Sequence, residues 1–220
     1  MKSKTIITGS TGMVGEGVLL ECLENEAVEQ ILVINRRPCG YTHPKLKEII
    51  HKDFFNLAPI ENELKGYDAC FFCLGVSSVG MKKEDYYHFT YELTMHAATR
   101  MARQNPSMIF CYVSGRGTRS SEEGGMNWAR VKGKTENDLA KVFSKRMFAF
   151  RPAILKATKG QKHLLSAYKY FGWLYGFFKF FSRNAGSTLK ELGLAMINVV
   201  TKGYDKNVIE VKDILILSKK

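Results

Sequence analysis

The sequence predicts an α/β protein in which helices cover both faces of a doubly wound parallel sheet. Three observations predict this class: short β-rich runs alternate with stretches of helical periodicity, most of these runs are apolar along their length, and a glycine-rich turn joins the first run to the first helix. Strands that are buried on both faces are apolar throughout rather than at every second residue. Strand–helix alternation of this kind produces a parallel sheet with helices on both sides.

The predicted strands are short runs of β-branched and aromatic residues. They are Thr5–Thr8, Ile31–Asn35, Glu48–His51, Ala69–Leu74, Met108–Val113, Met147–Phe150 and, near the end of the chain, Val208–Val211. Helical spacing of apolar residues predicts helices over Val14–Asn25, Glu84–Asn105, Trp128–Phe143 and Thr188–Val200. The alternation changes after Arg151-Pro152. We therefore expect a nucleotide-type domain over 1–152 and a small helical and aromatic appendage over 153–220, packed together as one compact unit.

Composition and charge exclude some classes of protein. The chain has 220 residues, of which 45% are hydrophobic and 25% charged, and this excludes a wholly disordered chain. Its net charge is +12, but Leu139–Lys190 holds eleven basic residues and no acidic one. The excess positive charge is therefore a local property, and no nucleic-acid-binding motif accompanies it.

The first strand runs directly into Thr8-Gly9-Ser10-Thr11-Gly12-Met13-Val14-Gly15, a G-x-x-G-x-x-G pattern that opens a helix. Each glycine has a physical role: Gly9 permits the tight turn, Gly12 lets the backbone approach a pyrophosphate, and Gly15 lets the helix pack closely on the sheet. The free amides and the positive end of the helix then face an anion. This context predicts a dinucleotide site in a Rossmann-type fold.

The residues after the second strand select the nucleotide. A site that prefers NAD usually has an acidic residue here, which accepts a hydrogen bond from the ribose. This chain has Asn35-Arg36-Arg37 instead. Because guanidinium groups match phosphate oxygens, we expect Arg36, together with Arg37, to hold the 2′-phosphate of NADP.

With these motifs, the sequence resembles the short-chain dehydrogenase/reductase superfamily, in its extended or atypical epimerase-like branch, which includes Tat-interacting-protein-like oxidoreductases. The resemblance implies that Asp53 contacts the adenine and that Leu74-Gly75-Val76 passes under the adenosine. It also implies that Ser114 polarises the substrate carbonyl and that Lys132 holds the nicotinamide ribose. It covers residues 3–152 well and weakens beyond them.

One position departs from the family pattern. The family has Tyr-x-x-x-Lys on the helix after the serine strand, whereas this chain has Trp128-Ala129-Arg130-Val131-Lys132. An indole N–H only donates a hydrogen bond, so Trp128 cannot take the acid/base role of the tyrosine. Three interpretations stay open. The chain binds NADP without reductase chemistry, uses another proton carrier among Tyr86, Tyr87 and His88, or transfers hydride to an acceptor that takes its proton from water.

The predicted site contains two groups of residues. The candidate catalytic residues are Ser114, Trp128 and Lys132. The candidate cofactor-binding residues are Gly9, Ser10, Thr11, Gly12, Met13, Val14, Gly15, Arg36, Arg37, Asp53, Phe54, Leu74, Gly75, Val76 and Lys132. The histidines show no ligand spacing, so we expect no metal site. The function predicted is that of an NADP-dependent oxidoreductase or epimerase-like protein acting on a small molecule. The alternative is a non-catalytic protein that senses NADP.

The segment His163–Arg183 mixes many aromatic residues with lysines and an arginine. Its charges interrupt it too often for a membrane-spanning helix. Four roles stay open: a buried core helix, a lid over the substrate, a helix at an anionic membrane surface, or a contact with a second copy of the chain. Nucleic acid is the least favoured partner. The first residues do not resemble a signal peptide, so we expect a cytoplasmic protein, at most peripheral to a membrane.

Overall fold

The computed structural model describes residues 2–164 and 186–220. Within them, seven parallel strands form one sheet in the order β3-β2-β1-β4-β5-β6-β9. The strands of this sheet are β1 (Ser3–Thr8), β2 (Val28–Asn35), β3 (Leu46–Ile50), β4 (Ala69–Phe72), β5 (Ile109–Val113), β6 (Met147–Arg151) and β9 (Val208–Glu210). A separate parallel pair consists of β7 (Ile154–Lys156) and β8 (Gly186–Thr188).

In the described residues, six α-helices accompany the strands. They are α1 (Met13–Glu24), α2 (Lys83–Tyr87), α3 (Leu93–Gln104), α4 (Asn127–Phe143), α5 (Leu189–Lys202) and α6 (Val211–Leu217). A π-helical turn, His88–Glu92, joins α2 to α3, and 3-10 turns occupy Ala58–Leu64 and Ser144–Arg146. None of the helices in the described part of the chain has the length and hydropathy of a membrane span.

The sheet separates two apolar cores, as a doubly wound fold requires. Neighbouring residues of β1 point to opposite sides: Ile7 packs with α1, α5 and α6, whereas Ile6 packs with α3, α4 and the 3-10 turn over Ala58–Leu64. Cys70 and Cys73 likewise belong to opposite cores, and every cysteine is free. The predicted α/β fold with a Rossmann-type sheet is therefore confirmed.

Strand order determines where a ligand can bind. The chain proceeds from β1 outward through β2 to β3, and then returns to place β4 on the other side of β1. The loops after β1 and β4 therefore diverge and leave a crevice at the carboxyl ends of the strands, where doubly wound sheets bind their ligands.

The structure contains one strand pair that the sequence does not predict, and two predicted strands end earlier than expected. The sequence predicts no strand over 153–163, but Ile154–Lys156 pairs with Gly186–Thr188, a partner too distant in sequence for local patterns to indicate. The predicted strand Val208–Val211 ends at Glu210, because Val211 begins α6 behind a capping box of Glu210 and Asp213. The predicted strand Ala69–Leu74 ends at Phe72. Apart from His163 and Leu164, the basic aromatic segment lies outside the described residues.

Candidate dinucleotide site

Two positions of the loop and the helix that follows β1 require glycine, one for its backbone conformation and one for a close approach. Gly9 has a φ of +73°, and a Cβ there would lie 2.8 Å from the backbone of Cys73 and Leu74, which follow β4. A Cβ on Gly15 would lie 2.2 Å from the carbonyl oxygen of Gly9. The loop is thus pressed against both the end of β4 and the first turn of α1, which brings the amino end of that helix to the crevice.

The side chains of this loop divide between the protein and the crevice. Thr11 and Gly12 line the crevice beside Gly9. Ser10 is fully buried and Met13 nearly so, while Val14 packs against the core beneath α1. Of the residues predicted in this loop, Ser10, Met13 and Val14 therefore shape the loop through inward side chains, and Gly9, Thr11 and Gly12 offer it to a ligand.

Two adjoining cavities occupy the crevice and share Arg36, Lys52, Leu74 and Gly75. The larger, of about 530 Å³, is lined by Gly9, Thr11, Gly12, Arg36, Arg37, Lys52, Cys73, Leu74 and Gly75. The smaller, of about 180 Å³, is lined by Arg36, Lys52, Asp53, Phe54, Phe55, Leu74, Gly75, Val76, Phe89 and Leu93. The structure thus brings the glycine loop, both arginines, Asp53, Phe54 and the 74–76 segment around one space of the size that ligand sites have.

The end of β2 presents cations and no carboxylate to this space. Asn35, the last residue of the strand, is buried: its side-chain oxygen accepts a hydrogen bond from Ser10 at 2.9 Å, and its amide donates to Glu48 at 2.8 Å. Arg36 and Arg37 follow it and are exposed at the cavity. Lys52, which follows β3, adds a third cation that sequence reasoning missed. The residues here fit an anionic nucleotide, because cations and free helix amides face the same cavity.

The wall formed by Asp53–Phe55 is more apolar. The Asp53 carboxylate accepts a hydrogen bond from the amide of Phe55 at 2.9 Å, and Phe54 is only 3% exposed. Phe55 stacks on His88, with ring centres 4.4 Å apart. Phe54 and Phe55 thus give the smaller cavity an aromatic side next to a carboxylate.

The candidate catalytic residues meet at the carboxyl end of β5. The Lys132 ammonium donates to the carbonyl oxygen of Val113 at 3.2 Å, directly before Ser114. The Ser114 hydroxyl lies 3.0 Å from the Thr118 hydroxyl. Because Thr118 already donates to the carbonyl of Gly115, Ser114 is the donor to Thr118. Trp128 lies one helical turn before Lys132, and its indole packs on the 115–117 loop, 3.6 Å from where a Cβ on Gly117 would be.

Of the alternative proton carriers named from the sequence, Tyr86 lies close enough to Tyr112 to raise its pKa, whereas Tyr87 and His88 pack on other aromatic rings. Tyr86 is only 2% exposed, and burial raises its pKa. Tyr87 packs against Tyr91 with the two rings tilted, their centres 4.8 Å apart. His88 is exposed and lies 2.6 Å from a Glu92 carboxylate oxygen, beside Phe55 and therefore at the aromatic wall of the smaller cavity. None of these three contacts is to Ser114, Trp128 or Lys132.

A buried carboxylate holds the loop from the opposite side. Glu16, in the first turn of α1, is completely buried and accepts hydrogen bonds from the Tyr41 hydroxyl at 2.6 Å and from the amides of Lys162 and His163 at 2.6 and 2.7 Å. Burial by itself raises the pKa of Glu16, but these hydrogen bonds outweigh it and hold the pKa below its ordinary value. The side-chain amide of Gln161 also donates to the Met13 carbonyl at 2.7 Å.

Glu16 and Lys52 could not have been selected from the sequence. The partners of Glu16 lie 25 residues away at Tyr41 and 146 and 147 residues away at Lys162 and His163, so an acidic residue in a first helical turn indicated only a favourable helix dipole. Nothing in the local sequence distinguishes Lys52 from other lysines, because it joins Arg36 and Arg37 only through the pairing of β3 with β2. The part of the chain that the structure describes holds no group of histidines, cysteines or carboxylates arranged for a metal ion.

Comparison with known proteins agrees with this geometry. A family model described as NAD dependent epimerase/dehydratase family matches residues 5–122. The chain superimposes on the WbmF enzyme of Bordetella bronchiseptica in complex with NAD+ with a TM-score of 0.67 at 13% identity, covering 99% of this chain and 77% of that one. A dTDP-glucose 4,6-dehydratase of Bacillus anthracis in complex with NAD gives a TM-score of 0.65 at 11% identity, covering 94% and 74%. At these identities the likeness concerns the fold.

Two sequence relatives have informative names. The mitochondrial protein FMP52 of Candida glabrata is 25% identical over 165 residues, covering 74% of this chain and 68% of its own. The protein HTATIP2 of Rattus norvegicus is 23% identical over 158 residues, covering 70% of this chain and 64% of its own. HTATIP2 supports the predicted Tat-interacting-protein-like branch. The mitochondrial names of FMP52 and its counterparts contradict the expectation of a cytoplasmic protein, which rested on the absence of a signal peptide alone.

The match over residues 5–122 spans more than half of the chain and includes the glycine loop and the residues that line the crevice. The chain belongs to the NAD dependent epimerase/dehydratase family.

Proposed function

We propose that the protein is an NADP-dependent oxidoreductase, with Arg36 as the residue that selects NADP over NAD. The observation that carries this proposal is the charge at the end of β2. Arg36, Arg37 and Lys52 line the cavity of the glycine loop, while Asn35 is turned inward between Ser10 and Glu48. A 2′-phosphate would find guanidinium and ammonium donors there, and the ribose of NAD would find no carboxylate.

The rest of the crevice supports a dinucleotide of this kind. Gly9, Thr11 and Gly12 stand at the amino end of α1, where backbone amides and the helix dipole favour a pyrophosphate. The aromatic wall of Phe54 and Phe55 beside Asp53 offers a flat surface and an acceptor to a nucleotide base. Proteins of the same fold bind NAD, which supports a nicotinamide dinucleotide as the cofactor. The preference for NADP over NAD rests on Arg36.

A bound nicotinamide would supply hydride chemistry to a carbonyl or alcohol. The chain's own residues would then bind and orient the substrate at the end of β5. Ser114 can turn its hydroxyl from Thr118 to a substrate oxygen, since the two groups exchange one hydrogen bond of 3.0 Å. Trp128 can contribute only a packing surface or an N–H donor, which places the proton transfer on another residue.

Thermal unfolding of the protein with NADPH or NADH at equal concentration tests the proposal. We expect NADPH to raise Tm by several degrees and NADH to raise it much less, because stabilisation follows the ratio of ligand concentration to Kd. Equal stabilisation by both cofactors would refute the role of Arg36. No stabilisation by either would refute the cofactor class.

The rival function is a non-catalytic protein that senses NADP, and Trp128 in place of the tyrosine is the observation that favours it. Turnover separates the two. Oxidation of NADPH in the presence of a broad carbonyl panel supports the enzyme. NADPH binding without turnover, combined with reductase activity gained in Trp128→Tyr, supports the sensor.

A further inference from the structure

Lys132 lies among neutral oxygen atoms. Its ammonium is 3.2 Å from the Val113 carbonyl oxygen and 3.4 Å from the Tyr112 hydroxyl, and 5.1 Å from the centre of the Tyr112 ring. Tyr112 itself is only 1% exposed, and burial raises its pKa. These contacts hold the Lys132 side chain in one place at the carboxyl end of β5 without neutralising its charge.

The carboxylate that could neutralise Lys132 is committed elsewhere. Glu136 stands one turn further along α4, where its two oxygens accept hydrogen bonds from Arg151 at 3.1 and 2.5 Å. The side chains of this ion pair are 5% and 10% exposed. The charge of Glu136 is therefore balanced by Arg151, and only its residual field reaches Lys132.

Lys134, two residues away on the same helix, differs from Lys132 because it has a carboxylate partner. Its ammonium lies 2.9 Å from Asp138, and this hydrogen bond raises its pKa. Burial lowers the pKa of Lys132 to about 8, although Glu136 opposes the change. Two lysines of one helix thus differ in what they can do near neutral pH: Lys134 stays charged, and Lys132 can exchange a proton.

We propose that Lys132 is the proton carrier of the reaction, the role for which the chain has no tyrosine at position 128. This inference rests on the proposed NADP-dependent chemistry. In the reducing direction, the substrate carbonyl carbon gains a hydride from the reduced nicotinamide, while an N–H bond of the Lys132 ammonium breaks and the new O–H bond forms. The products are an alcohol, the oxidised nicotinamide and a neutral Lys132 amine, which then takes a proton from water. In the oxidising direction the neutral amine accepts the alcohol proton.

The other candidates are less suited to this role. Tyr112 is enclosed by the core and acts as a positioning residue that holds the Lys132 side chain. Tyr86 is buried, and His88 lies at the aromatic wall beside Phe55. Ser114, by contrast, directly follows Val113, whose carbonyl accepts from Lys132, so a substrate oxygen that Ser114 holds lies near the ammonium.

The proposal requires that Lys132 can lose a proton near pH 8, and a titration of the protein without cofactor tests this requirement. The protein is labelled with 13C-lysine, and the Cε resonances are followed by NMR from pH 6 to 11, with Lys132→Arg and Lys134→Arg assigning the two signals. We expect a midpoint near pH 8 for Lys132 and no titration of Lys134 below pH 10. A midpoint of 10 or above for Lys132 would overturn the proposal.

The proposal also requires that Lys132 gives its proton to the substrate during turnover, which is tested by kinetics with NADPH and a carbonyl compound that the protein reduces. Lys132→Arg keeps a positive charge but cannot release a proton near neutral pH. We expect it still to bind NADPH, because the positive charge is kept, and to lose roughly 10²–10⁴-fold in kcat, the range that general acid–base catalysis contributes. Lys134→Arg should retain wild-type kcat. In wild type, kcat for reduction should fall above pH 8.

Wild-type kcat in Lys132→Arg, or the same pH break in that variant, would overturn the role of Lys132. The failure of the two proposals is distinguishable. An absence of NADPH binding overturns both, whereas NADPH binding with a Lys132 midpoint above pH 10 overturns only the proton-carrier role.

Discussion

The hydroxyl of Ser10 donates a hydrogen bond of 2.9 Å to the side-chain oxygen of Asn35, and so joins the glycine loop to the end of β2. The side-chain amide of Asn35 in turn donates to a Glu48 carboxylate oxygen at 2.8 Å, and the same oxygen accepts from the backbone amide of Cys39. An amide suits this position because it accepts from the hydroxyl and donates to the carboxylate at once.

Asn35→Asp tests that arrangement. The new carboxylate would be buried and would face Glu48, a like charge, so we expect a loss of about 2–4 kcal/mol in the free energy of unfolding at pH 8. Such a pair raises carboxyl pKa values, so the loss should become smaller as the pH falls toward 5, where one of the two groups is protonated. Urea unfolding at both pH values measures it. Asn56→Asp, at an exposed turn, is the matched control and should change stability little. A pH-independent effect would contradict the like-charge explanation.

Gly15→Ala should prevent the loop from closing on α1. A Cβ there would lie 2.2 Å from the Gly9 carbonyl oxygen, a backbone atom that cannot move without displacing the loop. We expect a loss of several kcal/mol in the free energy of unfolding and no binding of dinucleotide, as for severe overpacking. Gly75→Ala is the control for stability, because no atom lies within 4 Å of a Cβ built there. The free energies of unfolding of the two variants, measured with a chemical denaturant, should differ clearly. Similar values would show that the fold does not need the close approach of Gly15 to the Gly9 carbonyl.

Glu16→Gln should weaken the attachment of the 161–163 segment. The ionised carboxylate accepts from Tyr41, Lys162 and His163, and hydrogen bonds to charged groups contribute about 1.5–3 kcal/mol each, so we expect the variant to lose about 2 kcal/mol at pH 7. Because the pKa of Glu16 is lowered from 4.5 in the folded protein, its contribution is present above pH 4.5 and lost as the pH falls through the folded pKa.

Urea unfolding at pH 7, 5 and 4 compares Glu16→Gln with wild type, and Glu24→Gln, exposed at the end of the same helix, is the control. The difference between wild type and Glu16→Gln should be largest at pH 7 and narrow below pH 4.5. A constant difference across this range would mean that the charge of Glu16 is unimportant.

Local patterns were sufficient for most of the sheet and for the glycine loop. The buried residues of β1, β2, β4, β5 and β6 are mostly apolar because helices cover both faces, and Gly9 and Gly15 stand where a side chain would meet neighbouring backbone. Patterns failed where a contact joins distant parts of the chain. The pair of β7 and β8, the burial of Glu16 against Lys162, and Lys52 beside Arg36 all depend on tertiary placement.

The candidate catalytic residues illustrate the same limit. The sequence placed Trp128 and Lys132 on one helical face but contained no sign that Arg151 would engage Glu136. That ion pair engages the Glu136 carboxylate, and burial then lowers the pKa of Lys132 although Glu136 opposes the change.

The most direct test of the account is the Kd of NADPH and of NADH for wild type and Arg36→Ala, measured by calorimetry at one salt concentration. Arg103→Ala, on the exposed end of α3, is the control. Since a charge-assisted hydrogen bond contributes about 1.5–3 kcal/mol, we expect wild type to bind NADPH at least tenfold more tightly than NADH. Arg36→Ala should lose roughly 10–100-fold in NADPH affinity, with NADH binding unchanged. Equal affinity of wild type for the two cofactors, or an unchanged Kd of NADPH in Arg36→Ala, would contradict the account.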